Sequence, residues 1–286
     1  MKAVIHKTLI RSVLVSGLAL LCISCSEDND HERKKAKYAV NQLKSTPPTV
    51  THKTTQSENH PLHWSYTGEG APYNWGKINN DFITCSTGKS QSPIDITAVT
   101  VTTLPDIQFD YKASRLRVSN NGHTVKFSYD AGSSIVINGK RYKLLQFHFH
   151  SPSEHTIGGK AYDMVAHLVH QADDGQLAVV AIMMNVSKKD NTFLAQLWKN
   201  LPQSKEERFQ NDNFKINIEN LLPDSDKYFN YSGSLTTPPC SEGVNWIVMN
   251  QAIQVSAEQV KAFTDLFPAS DRPVQPLNGR VIRMKN

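Results

Sequence analysis

Gln146-Phe147-His148-Phe149-His150 has the alternation of a β-strand. Successive strand residues point to opposite faces, so Gln146, His148 and His150 share one face while Phe147 and Phe149 take the other. Two imidazoles side by side on a rigid strand are half of a metal site. A second strand-like run, Val165-Ala166-His167-Leu168-Val169-His170, offers the third ligand. Three histidines with an open fourth position are the donor set of a catalytic zinc, whereas structural zinc is normally enclosed by four protein ligands. The alternative for an isolated His-x-His is a pair of packed or surface histidines.

Around this segment the chain divides into short strand-like runs bounded by Gly, Asn and Asp, at residues 116–119, 124–129, 134–137, 142–150, 164–170, 177–186 and 245–249. Helical patterning is limited, chiefly to residues 193–200 and to 257–266 behind a Ser256 cap. The pattern predicts one mainly β (α+β) domain over residues 61–286, built on a large sheet with a few short helices.

The ends of the chain carry different information. Of the net charge of +5, +4 lies in residues 1–50, which hold eight Lys or Arg against four Asp or Glu. The rest is nearly neutral, and without clustered basic residues in the folded part no nucleic-acid surface is expected. Lys2, Lys7 and Arg11 precede an apolar run over residues 12–23 that is short for a membrane span, then Ser24 and Cys25. This reads as an export signal over residues 1–25. It is either an ordinary cleaved signal or a lipoprotein signal, in which Cys25 becomes the lipid-anchored first residue. Both place the domain outside the cytoplasm, in the periplasm or the outer cell envelope. Residues 26–60 are polar and charged and read as a stalk. Cys85 and Cys240, in an oxidising compartment, point to one disulfide, with two free buried thiols as the alternative.

Other hydrolase signatures are missing. His31-Glu32 has Lys35 where a His-Glu-x-x-His helix needs its second histidine, and no Gly-x-Ser-x-Gly elbow occurs. What the chain does carry, in order, is Trp64-Ser65-Tyr66 with Trp75, Gln91-Ser92-Pro93-Ile94-Asp95-Ile96, Asn120-Asn121-Gly122-His123 and Gln146 to His150. Ser153-Glu154-His155-Thr156, His167-Leu168-Val169-His170, Ser234-Leu235-Thr236-Thr237-Pro238-Pro239 and Arg272-Pro273-Val274-Gln275-Pro276-Leu277 follow. In this set the sequence resembles the α-class carbonic anhydrases of bacterial, exported type, from about Trp64 to Arg280. The resemblance implies a twisted, mostly antiparallel sheet and reversible hydration of carbon dioxide to bicarbonate and a proton.

It also implies roles. His148, His150 and His167 would bind zinc (Zn2+), which lowers the pKa of a bound water to about 7 so that hydroxide can attack carbon dioxide. Thr236 matches a gatekeeper that accepts a hydrogen bond from that hydroxide and donates its own proton to Glu154, because a carboxylate can only accept. Val169, Val179, Leu235, Val244 and Trp246 match the apolar wall for carbon dioxide; each also suits ordinary core. His123 matches a proton shuttle, since imidazole titrates near neutrality. Tyr66, Asn121 and Thr237 match residues that order the intervening waters, and Cys85 with Cys240 matches the family's disulfide.

One position departs from the pattern. The family usually has Glu two residues before the third ligand, on the same strand face, accepting the free ring N–H of that histidine. Here the residue is Val165, while Gln146, the corresponding support for His148, is retained. Lost supports of this kind typically cost 10- to 100-fold in metal affinity or activity. The competing expectation is therefore a zinc-binding surface module with low turnover. Oligomeric state is left open by the sequence.

Overall fold

The computed structural model describes residues 63–286, so the expected signal (1–25) and stalk (26–60) lie outside the described residues. Ten strands carry the fold: β1 (Val99–Thr102), β2 (Ser114–Asn120), β3 (Val125–Ser128), β4 (Lys140–His150), β5 (Met164–Gln171), β6 (Leu177–Ser187), β7 (Arg208–Ile216), β8 (Tyr228–Ser234), β9 (Glu242–Met249) and β10 (Ile282–Lys285). With three short strands off the main path they form one 13-stranded sheet, ordered β7-β2-β3-β4-β5-β6-β9-β8-β10-β1. Along this path only β6/β9 and β10/β1 run parallel. The expected large, mostly antiparallel sheet is what forms.

Both faces of the sheet are buried. On one, Phe127, Phe147, Phe149, Leu168 and Val180 pack against Phe193 and Leu197 of α3 (Thr192–Trp198) and Phe263 of α4 (Ala257–Thr264), the helices that follow α1 (Trp75–Ile78) and α2 (Thr84–Thr87) in the chain. Phe147 and Phe149 are fully buried, a gain of about 1.5–3 kcal/mol each. On the other face, Val165, Val179, Ala181 and Trp246 pack against Ile94 and Ile96. Asn191 caps α3 by accepting from the backbone N–H groups of Phe193 and Leu194 at 3.1 and 3.0 Å. Ser256 and Gln259 form a reciprocal capping box at the start of α4.

β4 is not the uninterrupted strand that its sequence predicts. Against β5 the register runs His170↔Leu144 and then Val169↔Gln146, so Leu145 is an extra, unpaired residue and is 42% exposed. This bulge moves Tyr142 and Leu144 onto the same face as Phe147 and Phe149. Strict alternation would have put them beside the histidines. Bulges re-aim side chains in this way and are common beside active sites. Strands β7 and β8 have no counterpart among the predicted runs. β7 is an edge strand with most residues exposed on both sides, and β8 is buried on both; neither leaves the one-sided pattern by which a strand is recognised.

Candidate metal centre

The bulged β4 and its neighbour β5 assemble the site. His148 of β4 stands directly opposite His167 of β5, and His150 opposite Val165. The three ring centroids lie 4.8–5.5 Å apart, and one ring nitrogen from each histidine lies within 4.8 Å of the other two. Hydrogen bonds select which nitrogen is presented. His148 Nδ1 donates to Gln146 Oε1 at 2.9 Å, and His150 Nδ1 donates to the carbonyl of Ser270; both leave Nε2 free. Glu154 Oε2 sits 3.5 Å from His150 Nε2 and 3.6 Å from His167 Nδ1, so His167 faces the site through Nδ1.

His167 Nε2 points away, buried and without a hydrogen-bond partner among the described residues. The His155 ring stands edge-on to the His167 ring with centroids 6.2 Å apart, and its own buried Nδ1 has no partner among the described residues either. His155 Nε2 binds the Tyr231 hydroxyl at 2.6 Å. Val165 is fully buried in the apolar cluster on this face, so it offers His167 Nε2 no acceptor.

Burial dominates the electrostatics. It holds His148 and His167 well below the ordinary imidazole range, with His150 the next contribution for each, and these rings are neutral and lone-pair-bearing at neutral pH. Burial raises the Glu154 carboxyl; His150, the neighbouring Thr236 hydroxyl and the backbone N–H of Arg272 oppose it. That N–H reaches Glu154 Oε1 at 3.0 Å. Buried polar atoms are rarely left unpaired, yet His150 Nε2 and Glu154 Oε2 are. Three imidazoles converging with orphaned atoms suit a borderline-soft divalent cation such as zinc.

A cavity of about 120 Å³ opens above the site, lined by Gln146, His148, His167 and Thr236 together with Val169, Val179, Leu235, Thr237 and Trp246. Val244 is not among the lining residues and packs in the same buried cluster as Val179 and Trp246. Thr236 follows β8 in a turn closed by Leu235 N–H to Ser241 O and Cys240 N–H to Thr237 O, at 3.0 and 2.9 Å. The Cys85–Cys240 disulfide ties that turn to α2 (Thr84–Thr87), as expected. Arg272, 2% exposed, locks the same region by donating to the Ser92 and Cys85 carbonyls at 2.7 and 3.0 Å. Sequence reasoning assigned no role to Ser270 or Arg272. Ser270 acts through its backbone, which carries no side-chain signal.

His123, Tyr66 and Asn121 lie outside that cavity. The His123 ring stacks on Trp64 at 3.6 Å, 14° from parallel, with Tyr66 edge-on at 6.3 Å. His63, Trp64, Tyr66, Gly122, His123 and Lys205 line a second cavity of about 390 Å³. Asn121 Oδ1 accepts from the backbone N–H groups of His123 and Thr124, both at 2.9 Å, and so holds the turn; φ is +83° at Gly122.

Three convergent histidines on the floor of the sheet define a site able to hold a metal ion. The chain belongs to the eukaryotic-type (α) carbonic anhydrase family, whose family model matches residues 70–286. It is 42% identical to a carbonic anhydrase of Neisseria gonorrhoeae over 77% of this chain and 87% of that protein. Among solved structures it resembles a hyperthermostable carbonic anhydrase from an active hydrothermal vent chimney, with 47% identity, TM-score 0.76 and coverage of 78% and 100%. It also resembles the α-carbonic anhydrase of Thermovibrio ammonificans in complex with the inhibitor sulfanilamide, with 40% identity, TM-score 0.75 and coverage of 77% and 98%.

Proposed function

We propose that the chain catalyses reversible hydration of carbon dioxide to bicarbonate and a proton, with zinc held by His148 and His150 through Nε2 and by His167 through Nδ1. The observation that carries this reading is the convergence of three histidine ring nitrogens on the floor of a small cavity with apolar walls. Zinc in such a site supplies a water acidic enough to lose a proton near neutral pH.

The surrounding residues do the remaining work. The Thr236 hydroxyl serves as donor to Glu154, which as a carboxylate can only accept, and so turns only lone pairs to the cavity. It accepts a hydrogen from the attacking oxygen and thereby sets which lone pair faces the substrate. Val169, Val179, Leu235 and Trp246 give a nonpolar, uncharged molecule an apolar resting place and make none of the hydrogen bonds that would hold a bicarbonate ion. Thr237 supplies the polar edge. His123 carries the proton outward, and Tyr66 and Asn121 flank its route. Export by the N-terminal signal, with Cys25 as a lipid anchor, belongs to the same reading.

The test is stopped-flow carbon dioxide hydration on a sample whose zinc content is measured. Rapid hydration at near one zinc per chain, inhibited by sulfanilamide and abolished by chelation, supports the reading. A fully zinc-loaded protein without hydration would show a binding module instead. Cell fractionation and mass spectrometry of the mature N-terminus test export and lipidation.

A further inference from the structure

His63 has no role in the mechanism above. Its Nε2 nevertheless lies 3.1 Å from His123 Nε2, with ring centroids 5.2 Å apart and the rings 30° from parallel. Trp64 holds the other side of the arrangement, stacked on His123. His63 is exposed, whereas His123 is half-buried. Both rings, with Lys205 and Tyr66, line the same cavity, and neither borders the metal pocket.

We propose that His63 is the outer station of a two-imidazole relay that passes the proton from His123 to buffer in bulk solvent. The inference rests on the reading of His123 as the proton carrier and extends it to a residue with a distinct function. At 3.1 Å the two nitrogens are within hydrogen-bond reach, and one must carry a proton while the other offers a lone pair. With the proton on His123, Nε2–H donates to His63 Nε2. A proton arriving at His123 Nδ1 forms an N–H bond there as the Nε2–H bond breaks. That second proton bonds to His63 Nε2, and His63 Nδ1–H is released to a buffer base. Each ring gains one proton and loses one. The starting tautomers return by proton exchange with water.

The pair also answers a difficulty at His123. Burial, then the neighbouring charges of His63 and Lys205, push its pKa down to about 4. At neutral pH such an imidazole is charged in only about one molecule in a thousand, so it passes protons usefully only if an acceptor takes them at once. His63 is in contact and reaches solvent; the Tyr66 phenol, held un-ionised by burial, cannot serve.

The experiment compares wild type, His63→Ala and His63→Gln in carbon dioxide hydration at low and high concentrations of a bulky buffer. The expected result is a kcat about three- to tenfold lower in both variants at low buffer, with kcat/KM unchanged and the deficit erased by high buffer or added imidazole. Glutamine keeps a hydrogen bond to His123 but carries no proton, so its matching deficit separates transfer from positioning. His63→Ala in a His123→Ala background should slow the enzyme no further. By NMR, His63→Gln should also raise the titration midpoint of His123, because a like charge is removed. A kcat equal to wild type at low buffer, a deficit that persists at high buffer, or a parallel loss of kcat/KM overturns the relay alone. Wild type that hydrates no carbon dioxide at any buffer concentration overturns the proposed function as well.

Discussion

The two strands that carry the metal ligands support them unequally. On β4 each histidine has a fixed ring: His148 donates to Gln146, and His150 donates to the Ser270 carbonyl. On β5, His167 has no partner for Nε2, because the residue on the same face two positions earlier is Val165. Two ligands are therefore held by hydrogen bonds and one by packing alone. The difference teaches that geometry and stability of a metal site are separable. Backbone register is sufficient to bring three nitrogens together, while the acceptor behind each ring sets how basic and how rigid that nitrogen is.

Four measurements break or sharpen this contrast. The largest effect is expected from His148→Ala, which removes a ligand; zinc content should fall towards zero and hydration by about three orders of magnitude or more, and substantial retained activity would end the metal reading. Next, Thr236→Val removes the hydroxyl that links cavity and carboxylate. Its kcat should fall about 100-fold at normal zinc content, which separates chemistry from metal retention. The third test sets the strands against each other. Gln146→Ala should speed zinc loss to chelator about 10- to 100-fold, and Val165→Glu should slow it by a similar factor by giving His167 Nε2 an acceptor. Unchanged metal loss in Val165→Glu would break the comparison.

The smallest effect concerns acid. Burial pushes His155, beside His167, and His170, on β5, down to about 3. Above the ordinary imidazole pKa of about 6.5 both are neutral folded and unfolded, and contribute nothing to pH dependence. Between there and about 3 the unfolded chain binds the proton and the folded protein does not, so stability falls as pH falls, by up to about 1.4 kcal/mol per pH unit for each residue. Urea unfolding across that range should show the slope, and His170→Gln, which keeps a hydrogen-bonding group for Tyr111, should lessen it. An unchanged slope would remove His170 from the account.

Much of the site was legible because strand alternation is a short-range property. Gln146, His148 and His150 could be placed on one face from five residues, and the order of the Thr236 and Glu154 segments carried the family likeness. Leu145 shows the limit: nothing in its identity announces a bulge, since the extra residue exists only relative to the pairing with β5. His63 shows another limit. An exposed histidine before Trp64 has no motif, and its contact with His123 spans 60 residues of chain.

The sequence by itself determined the ligand types, the face they share on β4, the mainly β composition and the absence of an acceptor at position 165. These are local properties of side-chain chemistry and strand period. Only the tertiary structure decided that His167 lies opposite His148, that Ser270 holds His150, and that His167 Nε2 is buried without a partner among the described residues. Each of these is a relation between segments distant in the chain, and it takes a value only once the strands have chosen their register.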